Sequence, residues 1–301
     1  MKRKLVVKIG GGLGNQMHEY ALGRFLADMT DRELVWDLTD FTISSLREFQ
    51  LFHFTGTEKI RRWGCVREWA FFLLWVINRK ISERLFKQIL KLFKIKWVSV
   101  GNPFEFQPDL TDSSLKEWKG LIYLSGCYGH IPQMPSREEL RRIFTAKNEL
   151  SPRNKDYYNL MKTTESVSVH VRRTDYLWAS NGTPALDISY HRASMVKIQQ
   201  MISSPQWFIF SDDIKWCRRE FCDLKNVVFV EGNENNPWLD IQLMAACRHH
   251  VIANSTFSWW GAYLGEDTGV TLYPAPWFRG RGSSLELPST ARAGNWIAVL
   301  W

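Results

Sequence analysis

VSVHVRRTDY, Val167 to Tyr176, is an apolar run that ends abruptly in His170, Arg172, Arg173 and Asp175. A buried strand does not finish in two guanidiniums and a carboxylate unless something binds them, because each costs several kcal/mol to desolvate. The strand therefore opens into a site. Successive strand residues point to opposite faces, so one arginine can offer its fork to an anion while its neighbour is held by protein.

Outward from this stretch the pattern is regular. Strands are expected at 166–171, 206–210, 227–230, 250–253 and 270–273, with helices at 189–201, 214–222, 237–247 and from 254 to 264. Strands alternating with helices predict an α/β fold with a parallel sheet and ligands at the carboxyl ends of its strands. The first half begins in the same way. A short strand at 5–9 runs into Gly10, Gly11, Gly12 and Gly14, followed by Met17, Tyr20, Ala21, Phe25 and Leu26 at helical spacing. The third glycine position of a dinucleotide fingerprint falls on Asn15, which argues against a nicotinamide or flavin site. Further strands are expected at 33–37 and 120–129 and a helix at 136–144. SPRNKD at 151–156 reads as turn chemistry near a domain boundary, dividing the chain into 1–155 and 156–301.

The chain has 301 residues, enough for two domains, and 45% hydrophobic with 23% charged residues is a globular composition. Fifteen tryptophans offer flat faces suited to sugar stacking as well as to core packing. The formal charge of +8 is local: residues 58–96 hold eleven basic and three acidic side chains, so the rest of the chain sums to zero. No nucleic-acid-binding module accompanies this charge. Within the basic block at 58–97, Ile81, Leu85, Ile89 and Leu92 mark one face of a helix expected from Ile81 to Trp97, with Arg84, Lys87, Lys91 and Lys94 around the other. Two readings stand: a core-packed surface helix, and a helix facing anionic lipid. Five cysteines without CxxC spacing read as reduced thiols of the cytosol. The basic start MKRK, with no long apolar stretch after it, is not expected to be a secretory signal, and the longest apolar run, 69–77, is short of a membrane span.

Three strand-to-helix turns carry the chemistry: His170 to Tyr176, Ser211 to Asp213, and Asn254 to Ser258. An arginine fork, a hydroxyl-capped helix start and a carboxylate able to accept from a purine amino group together describe a nucleoside-diphosphate site. No cluster has zinc spacing, and Asp212-Asp213 lacks the DxD spacing of metal-dependent transferases.

GGLGNQM at 11–17, HVRRTDY at 170–176, SDDIKWC at 211–217 and DIQLMAACRHHVIANSTFSWWGAYL at 240–264 closely resemble the motifs of the bacterial α-1,2-fucosyltransferases of family 11. HVRRTD also resembles the arginine motif of α-1,6-fucosyltransferases, and GNQ that of protein O-fucosyltransferases. The resemblance implies a GT-B-like fold in which two Rossmann-like domains face a cleft, an acceptor-side N-terminal domain and a nucleotide-binding C-terminal one. It implies GDP-fucose as donor, no metal or other cofactor, and a galactose-terminated acceptor in glycan or O-antigen synthesis, lipid-linked in that setting. The same setting puts the chain in the cytoplasm, at the inner membrane face through a peripheral contact of residues 79–97.

Residue by residue, the resemblance gives Arg172 the task of neutralising the β-phosphate of the leaving GDP. Ser255 and Thr256 would bind the diphosphate, with Asn254 holding that turn. His170 and Asp212 would read guanine, and Asn15 and Gln16 would touch fucose or phosphate. Asp175 is expected either to take the acceptor proton or to buttress Arg173. His18 stands where the family usually has Phe and becomes an acceptor-side candidate. Against this reading stand a glycosyltransferase with another nucleotide-sugar donor and a non-catalytic sugar-binding protein.

Overall fold

The computed structural model describes residues 2–43, 47–58, 60–64, 67, 68, 70, 73, 83–100, 113–126, 134–178, 185–280 and 283–301. The chain divides into two compact units, Met1–Phe144 and Thr145–Trp301.

In the first unit the elements run β1 (Lys4–Lys8), α1 (Leu13–Met29), β2 (Glu33–Asp37), α2 (Thr39–Ile43), β3 (Arg61–Arg62), α3 (Glu83–Leu92), β4 (Ile95–Val100), α4 (Ser113–Glu117), β5 (Leu121–Gly126) and α5 (Arg137–Ile143). Among the described residues the strand pairings of this unit are all parallel, in the order β3-β2-β1-β5-β4. The central strand β1 buries Leu5, Val6 and Val7 completely, as a parallel strand covered on both faces must. Helix α1 starts at the glycine turn, where Asn15 and Gln16 donate their backbone N–H groups to the Gly12 carbonyl.

The helix expected at 81–97 is shorter than the sequence pattern suggested. α3 stops at Leu92, Lys94 adopts φ +53, and Ile95–Val100 forms β4, paired with β5 from Ile95 opposite Leu121. The left-handed residue breaks the helix, and its carbonyl accepts the Leu121 N–H at 2.9 Å, which starts the pairing. The buried face also differs. Phe86 and Leu90 pack on Val6, Val35 and Tyr123, while Leu85 is 46% and Leu92 82% exposed; Ile81 lies outside the described residues.

The second unit comprises α6 (Pro152–Thr163), β6 (Ser166–Val171), α7 (Thr174–Trp178), α8 (Ile188–Met201), β7 (Gln206–Ser211), α9 (Ile214–Glu220), β8 (Val227–Phe229), α10 (Pro237–Ala246), β9 (His249–Val251), α11 (Thr256–Leu264), β10 (Val270–Ala275), a hairpin of β11 (Phe278–Gly280) and β12 (Ser283–Leu285), and β13 (Asn295–Leu300). Its main sheet is again parallel, in the order β13-β10-β9-β6-β7-β8. All six residues of β6 are buried. The stretch 151–156, read as a turn, is instead the start of α6: Ser151 caps it by accepting the Asn154 N–H, and Pro152 occupies the first turn, where its missing N–H costs nothing. Cys217 and Cys247 are buried and Cys222 exposed, all as free thiols.

The face assignment of α3 is testable by thermal or urea unfolding. Leu90→Ala removes a buried side chain and should destabilise by about 2–5 kcal/mol, whereas Leu92→Ala should stay within about 0.5 kcal/mol of the parent.

Candidate active site

Strand β6 lies between β9 and β7, so its carboxyl end stands between those of two neighbours that carry the other two informative turns. Asp212, just past β7, ties this end together. Its Oδ1 accepts the backbone N–H of Arg173 at 2.9 Å, and its Oδ2 accepts the N–H and hydroxyl of Thr174 at 3.2 and 2.6 Å. The same Oδ2 lies 3.2 Å from a terminal nitrogen of Arg172, whose side chain is 22% exposed and whose guanidinium sits 5.7 Å from the Tyr176 ring.

The two arginines have different surroundings. The Arg173 guanidinium carbon sits over the Trp216 ring, 3.9 Å from its centroid, and Arg173 Nε approaches Asp213 Oδ2 at 3.3 Å. Asp213 in turn caps α9 by accepting the Trp216 N–H at 3.1 Å. A stacked and paired guanidinium of this kind is a fixed part of the protein. The side chain of Asp175 lies outside the described residues. Asp213 and Trp216 are the partners of Arg173 among the described side chains.

On the other side, the Tyr176 hydroxyl donates to the Asn254 carbonyl at 3.2 Å, and the His170 ring faces that of Phe257 at 5.5 Å. Both contacts join the arginine turn to the start of α11. There Ser255 is buried and caps the helix, accepting the Phe257 N–H at 3.3 Å, while the Ser258 hydroxyl accepts the Ala253 N–H. Thr256 stays partly exposed on the first turn, and Asn254 is buried. Six expected residues, His170, Arg172, Asp212, Asn254, Ser255 and Thr256, are thus placed on three adjoining turns.

The first-unit candidates share the glycine turn, yet two of them face inward. Gln16 is fully buried: its amide donates to the Gly11 and Glu48 carbonyls at 3.0 and 2.8 Å and accepts the Gln50 N–H at 2.9 Å. Its bonding capacity is spent on fixing 48–50 against the turn. His18 is also buried, and its Nδ1 donates to the Gly14 carbonyl at 2.9 Å, the tautomer a carbonyl partner requires. A sugar cannot reach either side chain in this conformation. Asn15 is partly exposed and folds back over Gly11, whose φ of +67 suits a residue without Cβ.

Sequence reasoning passed over Trp216, Thr174 and Glu19. Glu19 is buried and accepts the Gly10 N–H at 2.8 Å, and burial raises its pKa well above the usual carboxylate range. A carboxylate pattern one turn inside a helix gave no signal of that. No group of three or more His, Cys, Asp and Glu able to hold a metal occurs among the described residues.

Four described histidines are pushed low, chiefly by burial: His18 to about 4, His170 to about 3 with Arg172 adding to the effect, His191 to about 3 with His170 adding to it, and His249 in the same direction with Glu165 opposing.

Parallel sheets with their chemistry at the carboxyl ends, one in each of two α/β units, are the architecture of GT-B-like glycosyltransferases. Solved structures of that kind resemble this chain. NodZ from Bradyrhizobium, an α-1,6-fucosyltransferase, matches with a TM-score of 0.53 at 17% identity over 88% of this chain and 93% of its own. Arabidopsis thaliana FUT1 in complex with GDP matches with a TM-score of 0.57 at 13% identity over 91% of this chain and 70% of its own. These likenesses bear on the fold alone. The sequence bears on the family, whose profile matches residues 114–299, and the chain belongs to glycosyl transferase family 11. An Escherichia coli α-1,2-colitosyltransferase is 30% identical over 91% of this chain and 92% of its own, and the E. coli O-antigen biosynthesis glycosyltransferase WbnK is 26% identical over 92% and 95%. Human galactoside α-(1,2)-fucosyltransferase 1 is 28% identical over 54% of this chain and 48% of its own.

The buried histidines fix the sign of the acid response. They are neutral when folded but protonate near 6.5 once unfolded, so below that pH the unfolded chain binds more protons and stability falls. Melting temperature should drop from pH 7.5 to pH 5, each such histidine contributing up to about 1.4 kcal/mol per pH unit. A flat profile across that range would show that these rings are not buried neutral.

Proposed function

We propose that the chain is an inverting α-1,2-fucosyltransferase that moves L-fucose from GDP-β-L-fucose to O2 of a β-galactoside. The observation that carries the reading is Arg172: a guanidinium held at the carboxyl end of the central strand by Asp212, partly open to solvent, beside the hydroxyl-bearing start of α11.

In this reading the acceptor O2 attacks C1 of fucose from the face opposite the diphosphate. The C1–O bond to the β-phosphate breaks, and its electron pair leaves with GDP. Arg172 meets the charge that develops on the β-phosphate, an interaction stronger in the transition state than in the ground state. Thr256 and the first-turn N–H groups of α11 add donors for the same anion. Asp212 both holds the arginine and reads guanine: an ionised carboxylate has about four acceptor positions, and Oδ1 carries a single bond among those described. His170, kept neutral, is the second guanine contact. Asn15 approaches fucose or phosphate from the glycine turn. Asp175 takes the acceptor proton. No metal enters the scheme.

A second donor reading rests on one relative. The 30% identical protein is named for colitose, which is fucose without the 3-hydroxyl, so GDP-colitose is the alternative donor at the same site. The relatives named for O-antigen synthesis and colitose transfer support a cell-surface glycan as acceptor. No helix among the described residues is long and apolar enough to cross a membrane. A lipid-linked acceptor accounts for the basic block, in which Lys91 and Lys94 lie exposed beside Leu92 and Phe93 at the end of α3, a combination suited to the cytoplasmic face of an anionic bilayer.

Three measurements test these statements. GDP at a hundred times its Kd should stabilise the fold by about 2.7 kcal/mol, with UDP and TDP giving none; stabilisation by UDP instead would refute the donor. Arg172→Ala should fold normally and lose at least about a hundredfold in kcat, and retained turnover would remove Arg172 from its role. For the membrane contact, changing Lys87, Lys91 and Lys94 to Glu should release the protein from anionic liposomes, and binding equal to the parent's would end that idea.

A further inference from the structure

The glycine turn of the first unit is bordered by two features that the donor site does not use. On one side Lys8, the last residue of β1, lies 2.9 Å from Asp40 of α2, with the two side chains 25% and 33% exposed. The carboxylate rests against the turn itself: a Cβ on Gly10 would fall 2.4 Å from Asp40 Oδ2, so a side chain at residue 10 would displace it. The buried carboxyl of Glu19 holds the Gly10 N–H from beneath.

On the other side stands an aromatic run. Gln16 pins residues 48–50 to Gly11, and Phe49, within that segment, packs edge-on against Trp36 at 4.7 Å and Phe41 at 5.7 Å. Phe52 continues the row 6.1 Å from Phe49 and is 51% exposed, with Ile43 of α2 47% exposed. A half-exposed phenylalanine contributes little to a core. Here it extends a row of rings anchored on the buried Trp36.

We infer that this ledge, Phe49 and Phe52 together with the Lys8–Asp40 pair, is an acceptor subsite that takes the galactose ring of a β-galactoside. The inference rests on the galactoside acceptor of the proposed function and names where that acceptor binds. The chemistry is complementary. Galactose, with its axial 4-hydroxyl on one side, leaves a patch of C–H groups on the other that stacks on an aromatic face, and its hydroxyls can donate to Asp40 and accept from Lys8. The ledge also lies at the carboxyl ends of β1 and β2, where open parallel sheets bind ligands. Neither a charge pair nor an exposed ring alone reads a sugar. Here the two share one turn: Asp40 rests at Gly10, Gln16 ties residues 48–50 to Gly11, and Phe41, next to Asp40 in α2, packs on Phe49.

Initial rates with lactose varied at saturating GDP-fucose test the subsite. Phe52→Ala and Asp40→Asn should each raise the lactose KM about tenfold, leave the GDP-fucose KM within about twofold and keep the melting shift given by GDP, while Phe52→Trp should restore the lactose KM. An unchanged lactose KM, or a donor KM that rises as much, would overturn the assignment. Because a variant can misfold, the unaltered protein supplies the second readout. Lactose should protect Phe52 from hydroxyl-radical oxidation measured by mass spectrometry, and undiminished oxidation would likewise overturn it. Failure of the parent reading has another signature, in which GDP leaves the melting temperature unmoved and no fucose is transferred; the subsite then falls with it. Failure of the subsite alone leaves transfer by the unaltered protein intact.

Discussion

The carboxylate of Asp212 is the constraint on which the arrangement of the second unit's site depends. One side chain from the end of β7 takes two backbone N–H groups, a hydroxyl and a guanidinium from the turn after β6. Charge-assisted bonds of this sort are stronger than neutral ones, and four converging on one group fix the turn's course and the arginine's direction together. In the proposed reaction a guanidinium fixed in this way need not reorganise when charge appears on the leaving group, which is the condition for electrostatic stabilisation to speed a reaction. The same carboxylate partly offsets the positive charge of two adjacent arginines.

The fold was legible because strand and helix have different periods. Each strand expected in the second half is present to within a few residues, since β-branched runs between helical patterns leave few alternatives. The errors have specific causes. The stretch 93–100 continued an apolar and basic pattern that reads equally as helix or strand, and only the left-handed Lys94, together with pairing to Leu121, decides it. SPRNKD has turn composition, yet Ser followed by Pro is also a helix start, and tertiary packing of α6 chose the second meaning.

The site was legible in its residue types but not in their orientation. Arg172, Arg173 and Asp212 could be picked out from the charges that end apolar strands. Which arginine is sequestered followed only from the family resemblance and not from the residue pattern itself, because it depends on Trp216, four residues beyond Asp212 and set beside Arg173 by the cap that Asp213 makes. Gln16 and His18 illustrate the opposite case. They belong to the most recognisable motif of the first unit, and the structure spends both on internal bonds, so a motif residue can owe its place to the shape of a turn. Asp40, in a stretch with no motif, reaches that same turn through a contact 30 residues distant in sequence.

Strand β6 has all six residues buried and a hydrogen-bonded partner on each side. In terms of amide hydrogen exchange, such a strand opens only when the whole unit does. The guanidinium that meets solvent is therefore mounted one residue beyond the slowest-exchanging backbone of its unit. Local breathing loosens loops and edges first and spares the strand that carries Arg172, so in the proposed reaction the motion that admits or releases the donor belongs to elements other than the one bearing the charge.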